Sequence, residues 1–375
     1  MAVPKDTIWP IEPHTCAKHQ ILRNYLDAWL PILGTRSRKL IYIDGFAGPG
    51  EYAGGEPGSP IVALEAARTH QATLAPELVF IFIEEKADRV AHLKSRIAIL
   101  QLPAHFKIQV VRGTFAENLT TILDDLDAQG ATLAPTFALI DPFGFAGIPH
   151  AVIKRLLGKN KSEVLITFMV DAMNRWLEHP VDSIRAQITE TFGTEEAVHI
   201  AASVGNRVNG LKALYQRQLQ QAAQFVRYFE MRDHNNRVVY YLFFASNNPR
   251  GHLKMKEAMW KVDPIGEFKF SDATNPDQAL LFAPAPSITP LVNELETKFS
   301  KAGQICIEEI ETFVNDDTAY LRRHMRDALE KLEAVGKLKV RETKKNGKKR
   351  RANSFPNDAL VTFVSSPIHQ GNLFG

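Results

Sequence analysis

Lys39-Leu40-Ile41-Tyr42-Ile43-Asp44-Gly45-Phe46-Ala47-Gly48-Pro49-Gly50 is the stretch on which the fold turns. A short β-rich run over 39–43 stops at an acid and opens into a glycine-rich turn. Such a turn after a first strand suits a nucleotide-type ligand, because it lets backbone approach the ligand and frees N–H groups at the next helix. Three ligand types compete. A P-loop has Lys directly after its last Gly. Here Gly45 and Gly50 have the right interval but Glu51 follows, which disfavours ATP and GTP. The dinucleotide fingerprint has glycines at relative positions one, three and six. Here they fall at one, four and six, which disfavours NAD. An acid at the end of strand one followed by Gly-x-x-Gly-x-Gly fits S-adenosylmethionine (SAM) instead. The acid would hold the ligand's ammonium, and the loop backbone would pass under the ribose and amino-acid tail. The competing reading is a turn that only satisfies tight geometry.

The pattern outward from this stretch predicts an α/β fold. Ile21, Leu22, Tyr25, Leu26, Trp29 and Leu30 recur at helical spacing over 14–33. After the loop come a helix from about Ile61 to His70 and a second strand, Leu78–Ile83. Further strands are expected at Phe106–Val111, Thr136–Ile140 and Glu163–Val170. Strands alternate with helical stretches, so the sheet is expected to be mostly parallel and doubly wound. With the acid and Gly-x-x-Gly-x-Gly loop after its first strand, such a sheet is expected to be the Rossmann-like class I methyltransferase arrangement. A hairpin of Phe225–Met231 and Val238–Ala245, joined by turn residues, would close the sheet in antiparallel fashion. A helical insertion is expected over about 172–224. The domains read as 1–270, a Pro-, Asp- and Ala-rich linker over 271–289, and 290–375. In the last, Leu291–Phe299, Ile305–Val314 and about Thr318–Val335 read as helices, and Lys337–Arg341 and Leu360–Val364 as strands. That sequence of elements predicts a winged helix-turn-helix.

Ligands of open α/β sheets bind outside the carboxyl ends of the strands. There the second strand ends in Glu84-Glu85, and a carboxylate at that point hydrogen-bonds ribose hydroxyls; alternation favours Glu84. Either residue also suits an acidic helix start. Thr114 follows the third strand, where many methyltransferases carry an acid that reads adenine. The fourth strand ends in Asp141-Pro142-Phe143-Gly144. This tetrapeptide resembles the Asp-Pro-Pro-Tyr type of amino-methyltransferases, in which the acid accepts hydrogen bonds from a target amine and the aromatic ring stacks on an extruded base. Phe143 and Gly144 depart from that pattern. Asp141, Pro142 and Phe143 are the candidate catalytic residues. Phe143, Gly144, Asn174 and Arg175 are the candidate substrate contacts. Lys18 and His19 on the first helix are placed to reach over the pocket.

Composition bounds the partners. The 375 residues are 45% apolar and 23% charged, as in globular proteins, so disorder and collagen-like structure are excluded. The unbroken apolar runs at 78–83 and 238–245 fall well short of the ~18–20 residues that span a bilayer. The N-terminus has no apolar signal core. Cys16 and Cys306 alone cannot form a disulfide framework or a Cys-rich zinc module, which suits a reducing, cytoplasmic setting; no metal site is expected. The net charge of +3 is uninformative, but its distribution is not. Over 341–351, Arg341, Lys344, Lys345, Lys348, Lys349, Arg350 and Arg351 surround Asn346-Gly347, a hairpin-turn signal. A basic wing suits a phosphate backbone, and Arg322, Arg323 and Arg326 on the preceding helix point away from its apolar stripe. A solvated loop or a partner-docking face would carry the same charge.

The loop Asp44–Gly50, Gly58-Ser59-Pro60, Phe82-Ile83-Glu84, Asp141-Pro142-Phe143-Gly144 and the helix around Lys254-Met255-Lys256, in this order, resemble the three-Cys-motif partner protein family. The resemblance extends over nearly the whole chain. It implies SAM as cofactor, with Asp44, Gly45, Phe46, Ala47, Gly48, Gly50, Glu84, Thr114 and Asp141 as its contacts. It also implies a radical-SAM-like partner bearing three cysteines. The leading expectation is a SAM-dependent methyltransferase acting on DNA or RNA, with a base amine as candidate acceptor. A non-enzymatic nucleic-acid adaptor for the three-Cys partner and a small-molecule methyltransferase are the alternatives.

Overall fold

The computed structural model describes residues 4–70, 76–201, 207–273, 286–341, 350–351 and 353–364. The chain forms two compact units, one of residues 1–263 with 267–281 and one of 264–266 with 282–375.

The first unit opens with helix α1 (Pro13–Gly34), whose predicted stripe is buried. Strand β1 (Lys39–Asp44) and helix α2 (Ser59–Arg68) flank the glycine loop. The alternation continues through β2 (Glu77–Glu84), α3 (Ala87–Ala98), β3 (Phe106–Arg112), α4 (Phe115–Ala128), β4 (Thr136–Ile140), α5 (His150–Leu157) and β5 (Ser162–Phe168). Among the described residues the insertion holds four helices: α6 (Val170–Trp176), α7 (Asp182–Phe192), α8 (Glu196–Ala201) and α9 (Arg207–Gln220). The expected hairpin follows as β6 (Phe225–Arg232) and β7 (Val238–Ser246). Asp233 closes its turn by accepting the N–H groups of Asn235 and Arg237 at 2.9 Å each. Helix α10 (Pro249–Val262) and a short strand, β8 (Lys269–Ser271), complete the unit. The sequence gives no clear signal for β8, because three residues are too few for a period and part of its stability comes from pairing with β6.

The strand order is β3-β2-β1-β4-β5-β7-β6-β8. Strands β1 to β5 are parallel, and β7 runs antiparallel to both β5 and β6. This is the Rossmann-like class I methyltransferase fold. Its central strands are covered on both faces by helices, so β4 and β5 are buried at every position. In the edge strand β3, by contrast, Phe106 is buried and the other positions are half-buried or exposed. Chain order reverses between β1 and β4, which pair with Asp44 beside Leu139. Asp44 and Asp141 therefore leave adjacent strands at the carboxyl edge, on the crevice that such a reversal opens.

The second unit contains helices α11 (Thr289–Phe299), α12 (Ile307–Asp317) and α13 (Arg322–Ala334). Strands β9 (Gln304–Cys306), β10 (Leu338–Val340) and β11 (Leu360–Phe363) form an antiparallel sheet in the order β10-β11-β9. The winged-helix expectation holds with two shifts. Ile305 lies in β9 rather than in a helix, where it faces Val361 of β11. Helix α13 begins at Arg322, not near Thr318, since Thr318 and Leu321 are extended. Leu321, Met325, Leu329 and Leu332 are buried as the spacing predicts. Among the described residues no helix is long and apolar enough to cross a membrane.

Candidate functional site

The glycine loop is held by its own strands. Four consecutive N–H groups have partners within the fold: Gly45 donates to Leu139 O, Phe46 to Asp44 Oδ1, Ala47 to Ile83 O and Gly48 to Glu84 Oε2, at 2.9 to 3.2 Å. A phosphate-binding loop needs such groups turned toward an anion. Here they are not available to one, so the loop offers shape rather than charge.

Two glycines fix that shape. Gly50 has φ +80°, and a Cβ there would lie 2.6 Å from Leu93. Gly58 donates its N–H to Gly50 O at 2.8 Å, and a Cβ on Gly58 would meet the Gly50 carbonyl carbon at 2.9 Å. The two ends of the loop therefore touch, and only glycine allows the approach.

Asp44 is wholly buried at the end of β1. Its Oδ2 has no hydrogen-bond partner. Burial pushes its carboxyl up to about 7, against the opposing pull of the Ser59 hydroxyl and the Phe46 N–H. A buried carboxylate with an unused oxygen suits a cationic ligand group that would stabilise its charged form. Glu84, also buried, accepts from Gly48 through Oε2 and from the Lys86 N–H through Oε1 at 2.8 Å. Each oxygen has a second lone pair for a hydroxyl donor. The rings of Phe46 and Phe115 lie 5.8 Å apart beside this acid. The Thr114 hydroxyl caps α4, accepting from the Glu117 N–H and donating to its carboxylate at 2.7 Å.

Asp141, just past β4, is ion-paired with Lys18, whose side chain is buried. Burial alone would raise the Asp141 carboxyl, but the charge and hydrogen bond of Lys18, with help from Thr167, hold it below the usual range. The Lys18 ammonium also lies 5.5 Å from the centre of the Tyr240 ring. His19 is buried beside the pair. Burial, then the neighbouring Lys18 charge, push its imidazole down to about 3, so it is neutral at physiological pH.

Two cavities open on this edge. The larger, about 650 Å³, is lined by Gly45, Glu84, Thr114, Phe115 and Gly144 and extends to Arg175 and Trp176 of the insertion. The smaller, about 440 Å³, is lined by Gly48, Ser59, Asp141, Lys18, Tyr52 and Tyr240. Phe46, Pro142 and Phe143 line both. Asp44 has no exposed atom and sits beneath the loop, near enough to Asp141 for their charges to oppose each other. Arg175 is exposed and paired with Asp171 at 3.2 Å. Asn174 is half-buried and lines neither cavity.

In the second unit the basic residues divide. Arg322 pairs with Glu311 at 3.2 Å and bonds to Asn357. Arg350 pairs with Glu333, with its side chain 10% exposed and its guanidinium over the Phe355 ring. Those two cations are tied into the fold. Arg323 and Arg326 of α13 and Arg351 are exposed. Lys344, Lys345, Lys348 and Lys349, with the Asn346-Gly347 tip, lie outside the described residues.

Residues 269–345 match the family model of the GMT-like wHTH domain. No curated protein sequence matches the chain. Among solved structures it is similar to a putative methyltransferase from Porphyromonas gingivalis W83, with a TM-score of 0.30 and 13% identity over 61% of this chain and 40% of that one. It is also similar to an O-methyltransferase from Bacillus cereus in complex with SAH, with a TM-score of 0.34 and 12% identity over 60% of this chain and 80% of that one. Human methyltransferase-like protein 13 in complex with SAH gives a TM-score of 0.35 and 10% identity over 72% and 98% of the two chains. The fold assignment rests on strand order and direction rather than on these likenesses.

Two cavity residues carry no motif in the sequence. Trp9 lies in a short segment before α1, and Arg89 lies in the first turn of α3, where its neighbours read as an ordinary amphipathic helix. Only the fold brings both against Phe143.

Proposed function

We propose that the chain is a SAM-dependent methyltransferase that acts on nucleic acid, with the winged helix as its targeting module. The observation that carries the reading is the loop with its four internally bonded N–H groups, between a buried Asp44 with an unpartnered oxygen and Glu84. That donor set disfavours phosphate and favours an adenosine bearing a cationic tail. The residues present fit such a cofactor: Glu84 for ribose hydroxyls, Asp44 for the ammonium, and Phe46 and Phe115 for the adenine face. When bound, SAM supplies a methyl group that is already electrophilic, so the protein's task is mainly alignment. Asp141 would hold the acceptor through the oxygen that Lys18 does not use, which suits an amine donor such as a base. Phe143, Tyr52 and Tyr240 give the smaller cavity flat walls for a ring. The three-Cys partner implied by the family resemblance would act with this protein at its target.

Titration calorimetry tests the cofactor. SAH is expected to bind with micromolar affinity, roughly −8 kcal/mol. Affinity should rise several-fold from pH 6 to pH 8 as Asp44 ionises through its pKa of about 7. Asp44→Asn should bind more weakly and lose that pH dependence. The same shift has a stability consequence. The folded state holds a proton that the unfolded state releases near pH 4, so the Asp44 contribution to stability falls as pH rises to about 7. Asp44→Asn should flatten that part of the profile in urea unfolding. No SAH binding at any pH would end the cofactor assignment.

The acceptor class is tested separately. Arg323→Gln with Arg326→Gln should weaken binding to a 20-nucleotide duplex or single strand. Losing two phosphate contacts should reduce the slope of log affinity against log salt by about 1.8 on the duplex and about 1.4 on the single strand. An unchanged slope in fluorescence anisotropy would remove α13 from the nucleic-acid surface.

A further inference from the structure

Where the two cavities meet, beside Phe46 and Pro142, three side chains from three parts of the chain stack on one another. Trp9 lines only the smaller cavity, Arg89 only the larger, and Phe143 both. The Trp9 and Phe143 rings meet edge-on at 5.2 Å. The Arg89 guanidinium lies 4.7 Å from the centre of the Trp9 ring and 5.3 Å from that of Phe143. Arg89 is 2% exposed and has no carboxylate partner among the described residues. It donates to Pro4 O at 2.9 Å, and its buried Nε has no partner. The segment before α1 is held to the rest of the unit by four hydrogen bonds: Pro4 O accepts from Lys86 and Arg89, Thr7 donates to Asp88 at 2.6 Å, and Trp9 O accepts from the Ala53 N–H at 2.9 Å. Trp9 stands over the glycine loop, 3.8 Å from where a Cβ on Gly48 would be.

This arrangement blocks the course of the proposed ligand. The ribose acid Glu84 borders the larger cavity, while Ser59 and Asp141, the neighbours of Asp44, border the smaller. A ligand with its nucleoside at Glu84 and its tail at Asp44 must therefore occupy both, passing where the stack now stands. We propose that Trp9, Arg89 and Phe143 form an inner gate that selects ligands by length: a nucleoside alone enters the larger cavity, whereas a nucleoside with a charged amino-acid tail binds only when Trp9 swings away. The inference rests on the cofactor reading above. The gate opens by parting the Trp9 ring from Phe143 and from the Arg89 guanidinium, with no ion pair to break. Its closed population lowers apparent affinity in proportion to the open fraction.

Surface plasmon resonance with SAH and adenosine tests the gate. Trp9→Ala should raise the association rate of SAH roughly tenfold and leave that of adenosine within about twofold, as removing the closed state predicts. Trp9→Phe, which keeps a ring, should stay near wild type. Because Trp9 sits in a half-buried surface segment, the alanine variant should fold. Equal changes for the two ligands, or no change in either, would overturn the gate while leaving the cofactor reading intact. Binding of neither ligand to any variant would overturn both.

Discussion

Asp141→Ala is expected to lower methyl transfer by roughly 10²–10⁴-fold, the range for losing a group that acts in the transition state, and to leave SAH binding within a few-fold of wild type. Asp141 lies on the acceptor side of the crevice, whereas the proposed cofactor contacts are Asp44 and Glu84. The same substitution should cost stability. Lys18 would remain with its side chain 6% exposed and without its counter-charge. Breaking a fully buried pair costs about 3–5 kcal/mol. Asp141 keeps 20% of its side-chain surface, so roughly 2–3 kcal/mol is the figure to look for in urea unfolding. Lys18→Met combined with Asp141→Leu should recover most of that loss and remain inactive, since it removes both charges but restores no acceptor contact. Tritiated-methyl transfer to mixed DNA, RNA and protein reads the activity. An Asp141→Ala protein with wild-type transfer would remove the residue from the reaction. A double variant no more stable than the single one would show that the ion pair is not what Asp141 contributes to the fold.

That pairing also marks the limit of what the sequence reveals. The sheet is legible because its central strands are buried on both faces and read as apolar runs, and because β1, β2 and β4 stop at or just before an acid at the carboxyl edge. Asp44, Glu84 and Asp141 are visible for the same reason: strand ends are local features, and the topology rule for parallel sheets sends them to one crevice. Lys18 is visible as a candidate only, since nothing local links position 18 to position 141. Trp9 and Arg89 are not visible at all. Their role depends on contacts across 54 to 134 residues of chain, and their immediate neighbours form a short connecting segment and an amphipathic helix. Arg350 illustrates the opposite case. In the sequence it belongs to a basic run, yet Glu333 and the Phe355 ring draw it into the packing of the winged helix. Charge density along a chain does not distinguish a cation held by a carboxylate from one held by water; burial does.

Gly58→Ala should have the second large effect, and it acts through backbone alone. The added methyl would lie 2.9 Å from the carbonyl carbon of Gly50 and 3.0 Å from its Cα. Backbone cannot rotate aside as a side chain can. Gly50 has little room to retreat, since its own Cβ position is already 2.6 Å from Leu93 on α3 and 3.5 Å from Ile61 on α2. Relief must come from parting the loop ends and losing the Gly58–Gly50 hydrogen bond. Overpacking of this kind costs about 1–3 kcal/mol. Where that strain is released by moving the loop, an equal loss falls on the ligand, or roughly 10- to 100-fold in SAH affinity. The loop N–H groups bond to β2, β4 and Glu84, so the displacement should reach the ribose acid as well as the tail site. Calorimetry should therefore find weaker binding of both SAH and adenosine, unlike the Trp9 variants, which separate the two. If Gly58→Ala binds both ligands as the wild type does, the close contact between the loop ends does not shape the site, and the glycine there serves only the entry into α2.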